Sequence, residues 1–148
     1  MKPLLILLAG LNLVTAAASL AADALSPAKG WTFEDRDGGL ALRFNGQTVA
    51  EFVYRDAKVL RPFFANLRAP GGIAVTRNHP PRAGTDATDH DTMHPGVWLA
   101  FGDINGQDFW RNQGRIEHIR FIQPPTVAGG RLTFATECRL LASDGAAL

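Results

Sequence analysis

The chain has 148 residues, of which 15 are basic and 14 acidic, so its formal net charge at pH 7 is only +1. That length suits one domain with a real core, and the absence of a basic patch argues against a nucleic-acid or anionic-membrane partner. A single cysteine, Cys138, excludes an intrachain disulfide and a cluster of thiolate ligands.

The N-terminus has the pattern of a cleavable secretory leader. Lys2 provides a positive start, Leu4–Val14 is almost wholly apolar, and small residues follow as far as Ala21. We therefore predict a signal peptide over residues 1–21, with cleavage after Ala24 as the alternative. The apolar run is well short of the roughly 20 residues that span a bilayer. The mature protein is accordingly predicted to be periplasmic or extracellular, with no transmembrane segment after cleavage.

Beyond the leader the chain is predicted to be all-β. Short segments rich in β-branched and aromatic residues alternate with turn signals, and no convincing helical segment is present. Asn45–Gly46 is the strongest turn signal, because both residues of such a two-residue hairpin must take positive φ. We expect residues 22–148 to form an antiparallel β-sandwich. The predicted strands are Trp31–Asp35, Leu40–Phe44, Gln47–Tyr54, Phe63–Leu67, Ile73–Thr76, Val97–Asp103, Arg115–Ile122 and Arg131–Ala142.

The end of the sequence predicts an unfinished sheet. Ser143–Gly145 has the composition of a turn, and Ala146–Leu148 resembles the start of a strand that returns along Arg131–Ala142. A long strand without a partner leaves an exposed edge, which natural sheets avoid. Residues 22–148 are therefore interpreted as the N-terminal part of a longer sandwich domain.

Residues 77–96, RNHPPRAGTDATDHDTMHPG, have little strand character. Loops of this length inside a domain are uncommon and are usually functional or disordered. This one holds three of the four histidines in the chain, His79, His90 and His94, together with three aspartates. Its composition therefore favours a functional loop, and a second polar cluster follows it within residues 103–118.

Three roles are open for these side chains. First, His90, His94 and a carboxylate could bind a divalent metal such as zinc, iron or manganese, although the spacing matches no standard motif. Second, His90 with Asp89 or Asp91 could act as general acid and base without a metal, which suits proton transfer on a sugar or another polyol. Third, the polar groups could simply hold the loop together by capping turns and binding backbone.

The candidate catalytic residues are His90, His94 and Asp89, and the two histidines are also the candidate metal ligands. Arginine could clamp an anionic ligand bidentately or pair with a nearby aspartate, and tryptophan could stack on the face of a sugar. The residues expected around the ligand pocket are Arg61, Arg77, His79, Asp103, Asn105, Trp110 and His118.

Several of these residues form a pattern that resembles a secreted bacterial family of unknown function, often labelled "methane oxygenase PmoA". The shared features are Arg-Pro-aromatic at Arg61, Thr-Arg at Thr76–Arg77, and DHDTMHPGVWLAFGDINGQDFW at Asp89–Trp110. The likeness spans roughly Phe52–His118. Many members have His-x-His-His where this chain reads HDTMH at residues 90–94, so one histidine of their pattern is absent or displaced.

The resemblance implies an all-β sandwich with some similarity to the galactose-mutarotase-like supersandwich, in chains longer than this one. It brings no established catalytic residues, and fold alone does not define a reaction. Three functions stay open: an exported protein that acts on or binds a carbohydrate-like small molecule, a metal-dependent oxidoreductase or hydrolase, and a non-catalytic binding module.

Overall fold

The computed structural model describes residues 29–148, and the predicted signal peptide lies outside the described residues. The described part is all-β, and it contains no helix with the length and apolar character needed to cross a membrane. Its strands are β1 (Trp31–Arg36), β2 (Gly39–Phe44), β3 (Gln47–Val53), β4 (Phe63–Ala65), β5 (Val97–Trp98), β6 (Arg115–Ala128) and β7 (Arg131–Leu141).

The strands form two antiparallel sheets. One has the order β1-β2-β3-β4-β5, so each strand pairs with its neighbour in sequence, and the other is the long hairpin β6–β7. The turn between β2 and β3 has the predicted left-handed conformation, with φ of 50° at Asn45 and 76° at Gly46. The antiparallel all-β prediction is confirmed.

The hairpin β6–β7 packs on one face of the five-stranded sheet. Phe52 and Phe64 are opposite each other in register, so both point to this face. The rings of Phe64 and Phe134 each lie 5.0 Å from the Phe52 ring. Burial of this aromatic surface holds the two layers together. The core comprises Leu40, Leu42 and Phe52, with Phe33, Val49, Ala50, Tyr54, Phe64, Phe121, Leu132 and Phe134 packed against them.

The opposite face of the sheet is covered by loops. Phe63 and Ala65 of β4 are buried there with Val59. The ring of His79 packs edge-on against Phe63, and Trp98 of β5 also packs against this cluster. The long loop between β4 and β5 therefore starts over this apolar cluster and ends at β5, whose Trp98 packs against the same cluster.

Gly96 sets how closely β5 approaches β4. A Cβ at this position would overlap the carbonyl oxygen of Phe64. Any other residue would have to push β5 away from the sheet, and the register Phe64↔Val97 and Phe63↔Trp98 would be disturbed. The glycine of the PG pair is thus required where the loop rejoins the sheet.

Three predicted strands are wrong or too long, and one of them, Phe63–Leu67, ends at Ala65. Ile73–Thr76 makes only an isolated bridge between Ala74 and Arg68, and Ile73 is 67% exposed, so no apolar face is buried there. The strand predicted over Val97–Asp103 ends at Trp98. The carbonyl of Phe101 accepts instead from the amides of Phe109 and Trp110, so the chain folds on itself rather than extending the ladder.

Strand β6 is longer than predicted and runs on from Ile122 to Ala128. Its register with β7 shifts at three points, one of them between Gln123 and Thr126. That shift spans Pro124 and Pro125, which lie just beyond the end of the predicted strand. A bulge accommodates residues that cannot donate to the ladder.

The last three residues return along β7, as predicted. The Leu148 amide donates to the Leu140 carbonyl at 3.0 Å, and a bridge joins Ala147 to Leu141. The Asp144 carboxylate accepts from the Ala146 amide at 2.9 Å and closes the turn. The interpretation of the sequence as part of a longer domain stays a prediction.

Candidate functional site

Arg77 organises the loop between β4 and β5. Its guanidinium donates to the carbonyls of Ala87, Asp89, His90 and His94 at 2.6, 2.7, 3.1 and 2.9 Å. A planar group with five donors suits such a cradle of carbonyls. Arg77 therefore positions the backbone of the loop, whereas the sequence suggested that it clamps an anion or pairs with an aspartate.

The chain held by Arg77 makes one tight turn at residues 90–94. The amides of Met93 and His94 both donate to the His90 carbonyl, at 3.0 and 2.8 Å. His90 itself has φ of 50°, a conformation that non-glycine residues adopt rarely and that often occurs at functional sites. The turn brings the rings of His90 and His94 to 6.1 Å from each other.

Asp89 and His90 form a pair at the surface. His90 Nδ1 lies 3.0 Å from Asp89 Oδ2, and the two side chains are 57% and 72% exposed. The hydrogen bond with His90 holds the pKa of Asp89 below its usual value. Because Nδ1 is engaged by the carboxylate, Nε2 is the ring nitrogen left for a ligand.

Two tryptophans adjoin the histidines. The ring of His94 lies 5.9 Å from that of Trp98 and 6.2 Å from that of Trp110, and the two indoles meet at 4.7 Å with their planes 69° apart. Trp98 is half-buried, whereas Trp110 is 42% exposed. We call the area formed by Asp89, His90, His94, Trp98 and Trp110 the Trp–His surface.

Arg61 supports the Trp–His surface from below. It is 4% exposed, and it donates to the carbonyls of Phe109, Trp110 and Met93 at 2.5, 3.2 and 2.9 Å. Its guanidinium carbon lies 4.2 Å from the centre of the Trp98 ring, a cation–π contact. One side chain thus joins the long loop, strand β5 and the segment that leads to β6.

The Trp–His surface holds two histidines and a carboxylate but not a preformed metal cage. Among residues 29–148, no group of three or more His, Cys, Asp or Glu side chains is arranged to hold a metal ion. His90 and His94 are neighbours, and His90 also contacts Asp89. The geometry is that of a hydrogen-bonding and stacking surface.

His79 lies apart from the Trp–His surface. Its side chain is 15% exposed, and its Nε2 is 2.9 Å from Asp56 Oδ2. Asp56 also accepts from the amides of Lys58 and Val59. Although burial by itself raises it, the hydrogen bonds from His79 and these amides bring the pKa of Asp56 below its usual value. The pair anchors the start of the loop to the β3–β4 connection.

His118 lines a separate cleft of about 230 Å³ between the β3–β4 connection and the start of β6. Its ring stacks on Tyr54 at 4.4 Å and on Phe121 at 4.9 Å. Burial, together with the positive charge of Arg55, lowers the pKa of His118, which favours the neutral imidazole. We call this the β6 cleft. Its charged and titratable lining residues are Arg55, Asp56, Arg61, Arg115, Glu117 and His118.

Asp103 and Asn105 shape a turn between β5 and β6. The Asp103 carboxylate accepts from the Gly106 amide at 2.7 Å, and Asn105 has φ of 52°. Ile104 and Gln107 close the turn with mutual backbone hydrogen bonds of 3.0 Å. Backbone geometry accounts for both residues, in line with the interpretation that polar groups of this region cap turns.

The residues that the sequence did not single out are Tyr54, Asp56 and Arg115, all in the β6 cleft. Asp56 carried a local signal, because an aspartate just after a strand often caps the following amides. Tyr54 and Arg115 carried none. They meet only because β6 returns to the β3–β4 connection, where the Ile116 amide donates to the Leu60 carbonyl at 2.8 Å.

Comparison with known proteins gives a family for the chain. Residues 39–148 match a family of unknown function, DUF6807, and because the match covers most of the sequence, the chain belongs to this family. No curated protein and no solved structure matches it. The matched range begins at β2 and includes every residue of the Trp–His surface and of the β6 cleft.

Proposed function

We propose that this member of the DUF6807 family is an exported protein that binds a carbohydrate-like ligand on the Trp–His surface. The observation that carries the proposal is the exposed indole of Trp110, which is 42% exposed and packs edge-to-face on Trp98. Large exposed aromatic residues beside polar groups are typical of ligand surfaces. His94 borders this indole, His90 adjoins His94, and the Asp89 carboxylate contacts His90.

The chemistry of a sugar fits these groups. One face of a pyranose ring presents C–H groups that stack on an indole, and its hydroxyls need donors and acceptors around the rim. His90 Nε2, the His94 ring and the Asp89 carboxylate supply both kinds of group. Binding of neutral hydroxyl groups requires no net charge at the surface, which agrees with a neutral polyol as the ligand.

The two arginines below the Trp–His surface also favour ligand binding, because they order its backbone. Arg77 and Arg61 hold the backbone of the loop and of the segment that carries Trp110 through seven hydrogen bonds to carbonyls. A surface already ordered before it meets its ligand loses less conformational entropy on binding. Positioned side chains of this kind are what a weakly interacting ligand such as a sugar requires.

The contact between Asp89 and His90 favours a second candidate, proton transfer on the same class of ligand. A carboxylate on Nδ1 fixes the tautomer of the imidazole, which leaves Nε2 to exchange a proton with a hydroxyl or a C–H group. Catalysis would then be a property of the proposed binding surface. We also propose that the chain is related to the proteins often labelled "methane oxygenase PmoA", without taking an activity from that label.

The proposal is tested with Trp110→Ala on a panel of mono- and oligosaccharides measured by isothermal titration calorimetry. We expect a saccharide of the panel to bind the native chain and to bind the variant about tenfold more weakly or worse, which is about 1.4 kcal/mol. Trp31→Ala is the matched control, because Trp31 lies in β1 at the other edge of the sheet. If Trp110→Ala binds as well as Trp31→Ala does, the surface is not the binding site.

His90→Ala and His94→Ala separate the chemical alternatives. For an acid–base role, turnover of the bound saccharide should show a pH limb near neutrality that vanishes in His90→Ala with metal content unchanged. For a metal role, both variants should lose bound metal, measured by elemental analysis of protein purified without chelators. Binding without turnover or metal would define a non-catalytic module.

A further inference from the structure

The charge of Arg61 has no anionic partner. Arg61 takes part in none of the ion pairs formed among residues 29–148. Its hydrogen bonds all go to neutral carbonyls, and its Nε is shielded from solvent without any hydrogen-bond partner. Buried charges in proteins are normally paired, because an isolated ion in a medium of low dielectric constant is strongly unfavourable.

The β6 cleft lies against this unpaired cation. Arg61 lines it together with Arg55 and Arg115, and two carboxylates, those of Asp56 and Glu117, also line it. Arg55 already pairs with Asp37 at 3.5 Å. Arg61 and Arg115 are therefore the lining arginines that make no ion pair among the described residues. The cleft volume of about 230 Å³ admits a small molecule and not a polymer segment.

Each of the two carboxylates of the cleft already has hydrogen-bond donors or an opposite charge beside it. Asp56 accepts from two amides and from His79. Glu117 stands opposite Arg139 in the β6–β7 register, where cross-strand opposite charges attract each other. Arg115 makes neither an ion pair nor a side-chain hydrogen bond among the described residues, and it is exposed at the cleft. It is the group best placed to meet an incoming ligand.

We infer that the β6 cleft binds a small monocarboxylate. Arg115 contacts the carboxylate bidentately, the buried charge of Arg61 attracts it through the cleft wall, and the stacked rings of Tyr54 and His118 receive its carbon skeleton. A planar monocarboxylate matches the one free guanidinium of Arg115 in both geometry and charge. The site is distinct from the Trp–His surface, and the inference does not depend on the proposed function.

The test uses the full chain at low ionic strength with acetate and glucuronate as probes, followed by calorimetry and by NMR shifts. Acetate has no ring to stack on Trp110, so its binding reports on the cleft alone. Glucose serves as the neutral analogue of glucuronate. If the natural ligand is an acid sugar, glucuronate binds more tightly than acetate; if it is a simple organic acid, acetate binds at least as tightly. Both results support a carboxylate site.

The deciding comparison is Arg115→Gln with Arg131→Gln. Both remove one exposed arginine from the hairpin, at its opposite ends, so folding and net charge change alike. We expect acetate affinity to fall about tenfold in Arg115→Gln, as for the loss of a charged hydrogen-bonded contact, and to stay as in the native chain in Arg131→Gln. Equal weakening in both variants, or no saturable acetate binding to the native chain, would overturn the inference.

Discussion

The loop held by Arg77 and the interior held by Arg61 use the same contact at different depths. Each guanidinium donates to several backbone carbonyls, four for Arg77 and three for Arg61. The hydrogen bonds of Arg77 are exposed, whereas Arg61 is 4% exposed and covers the half-buried ring of Trp98. Water competes for the first set of carbonyls and has less access to the second, in which the bond to Phe109 is buried and the other two are partly buried.

This difference separates two tasks that one residue type performs. Where water has access, each hydrogen bond contributes little net stability, and Arg77 mainly selects one loop conformation among many. Where water is excluded, loss of the donor leaves carbonyls unsatisfied, and Arg61 becomes part of the core. The loop held by Arg77 can therefore accept substitutions that alter ligand binding without unfolding the protein, whereas the interior held by Arg61 cannot.

The largest effect is expected for Arg61→Met. The methionine keeps apolar contact with Trp98 but leaves the carbonyls of Phe109, Trp110 and Met93 without their donor. We expect the free energy of unfolding to fall by roughly 3–5 kcal/mol, measured by urea denaturation. A loss below about 1 kcal/mol would mean that these carbonyls find water, and the contrast between the two arginines would disappear.

Arg77→Lys is expected to have a smaller effect. Lysine keeps the charge but cannot reach four carbonyls with one ammonium group, so the loss should be roughly 1–2 kcal/mol. Limited proteolysis within residues 77–96 should speed up more than global unfolding does, because the variant frees the loop and not the core. Arg82→Lys is the control, since the Arg82 side chain lies exposed in the same loop. Equal proteolysis of the two variants would contradict the role of Arg77.

The smallest effect concerns pH and the β6 cleft. Because the pKa of folded His118 lies below its usual value of 6.5, the unfolded chain takes up this proton more readily. Stability should therefore be complete above pH 6.5 and decline as the pH falls below it. His118→Gln should flatten that part of the stability curve. The free energy of unfolding is measured by urea denaturation between about pH 7.5 and pH 5, a range that brackets the usual pKa of histidine.

Asp56 is an internal control for this experiment, because it affects stability in a lower pH range than His118 does. Its pKa in the folded chain lies below the usual 3.8, so its contribution is present above pH 3.8 and is lost only as the pH falls further. The His118→Gln variant should keep that acid limb unchanged. A variant curve that retains the decline just below pH 6.5 would assign it to another group.

Much of the fold followed from local sequence. The hairpin of β2 and β3 was predictable because Asn45–Gly46 supplies two left-handed residues between alternating strands. Strand β7 was predictable because Leu132 and Phe134 share a face with Cys138 and Leu140. Ile73–Thr76 failed because its apolar residues have the composition of a strand while no second layer covers them, and composition does not report what lies opposite.

The sequence by itself placed Asp89, His90, His94 and Trp110 among the candidate site residues, because one turn of chain brings His90 and His94 together and Trp110 follows in the same polar stretch. Only the tertiary structure decided that Arg61 is buried under the Trp–His surface. Its partners lie 48, 49 and 32 residues away along the chain. Likewise only the fold separated His79 and His118 from the other two histidines. Turn geometry and strand alternation are properties of neighbouring residues, whereas the burial of a charge depends on which distant segments exclude water from it.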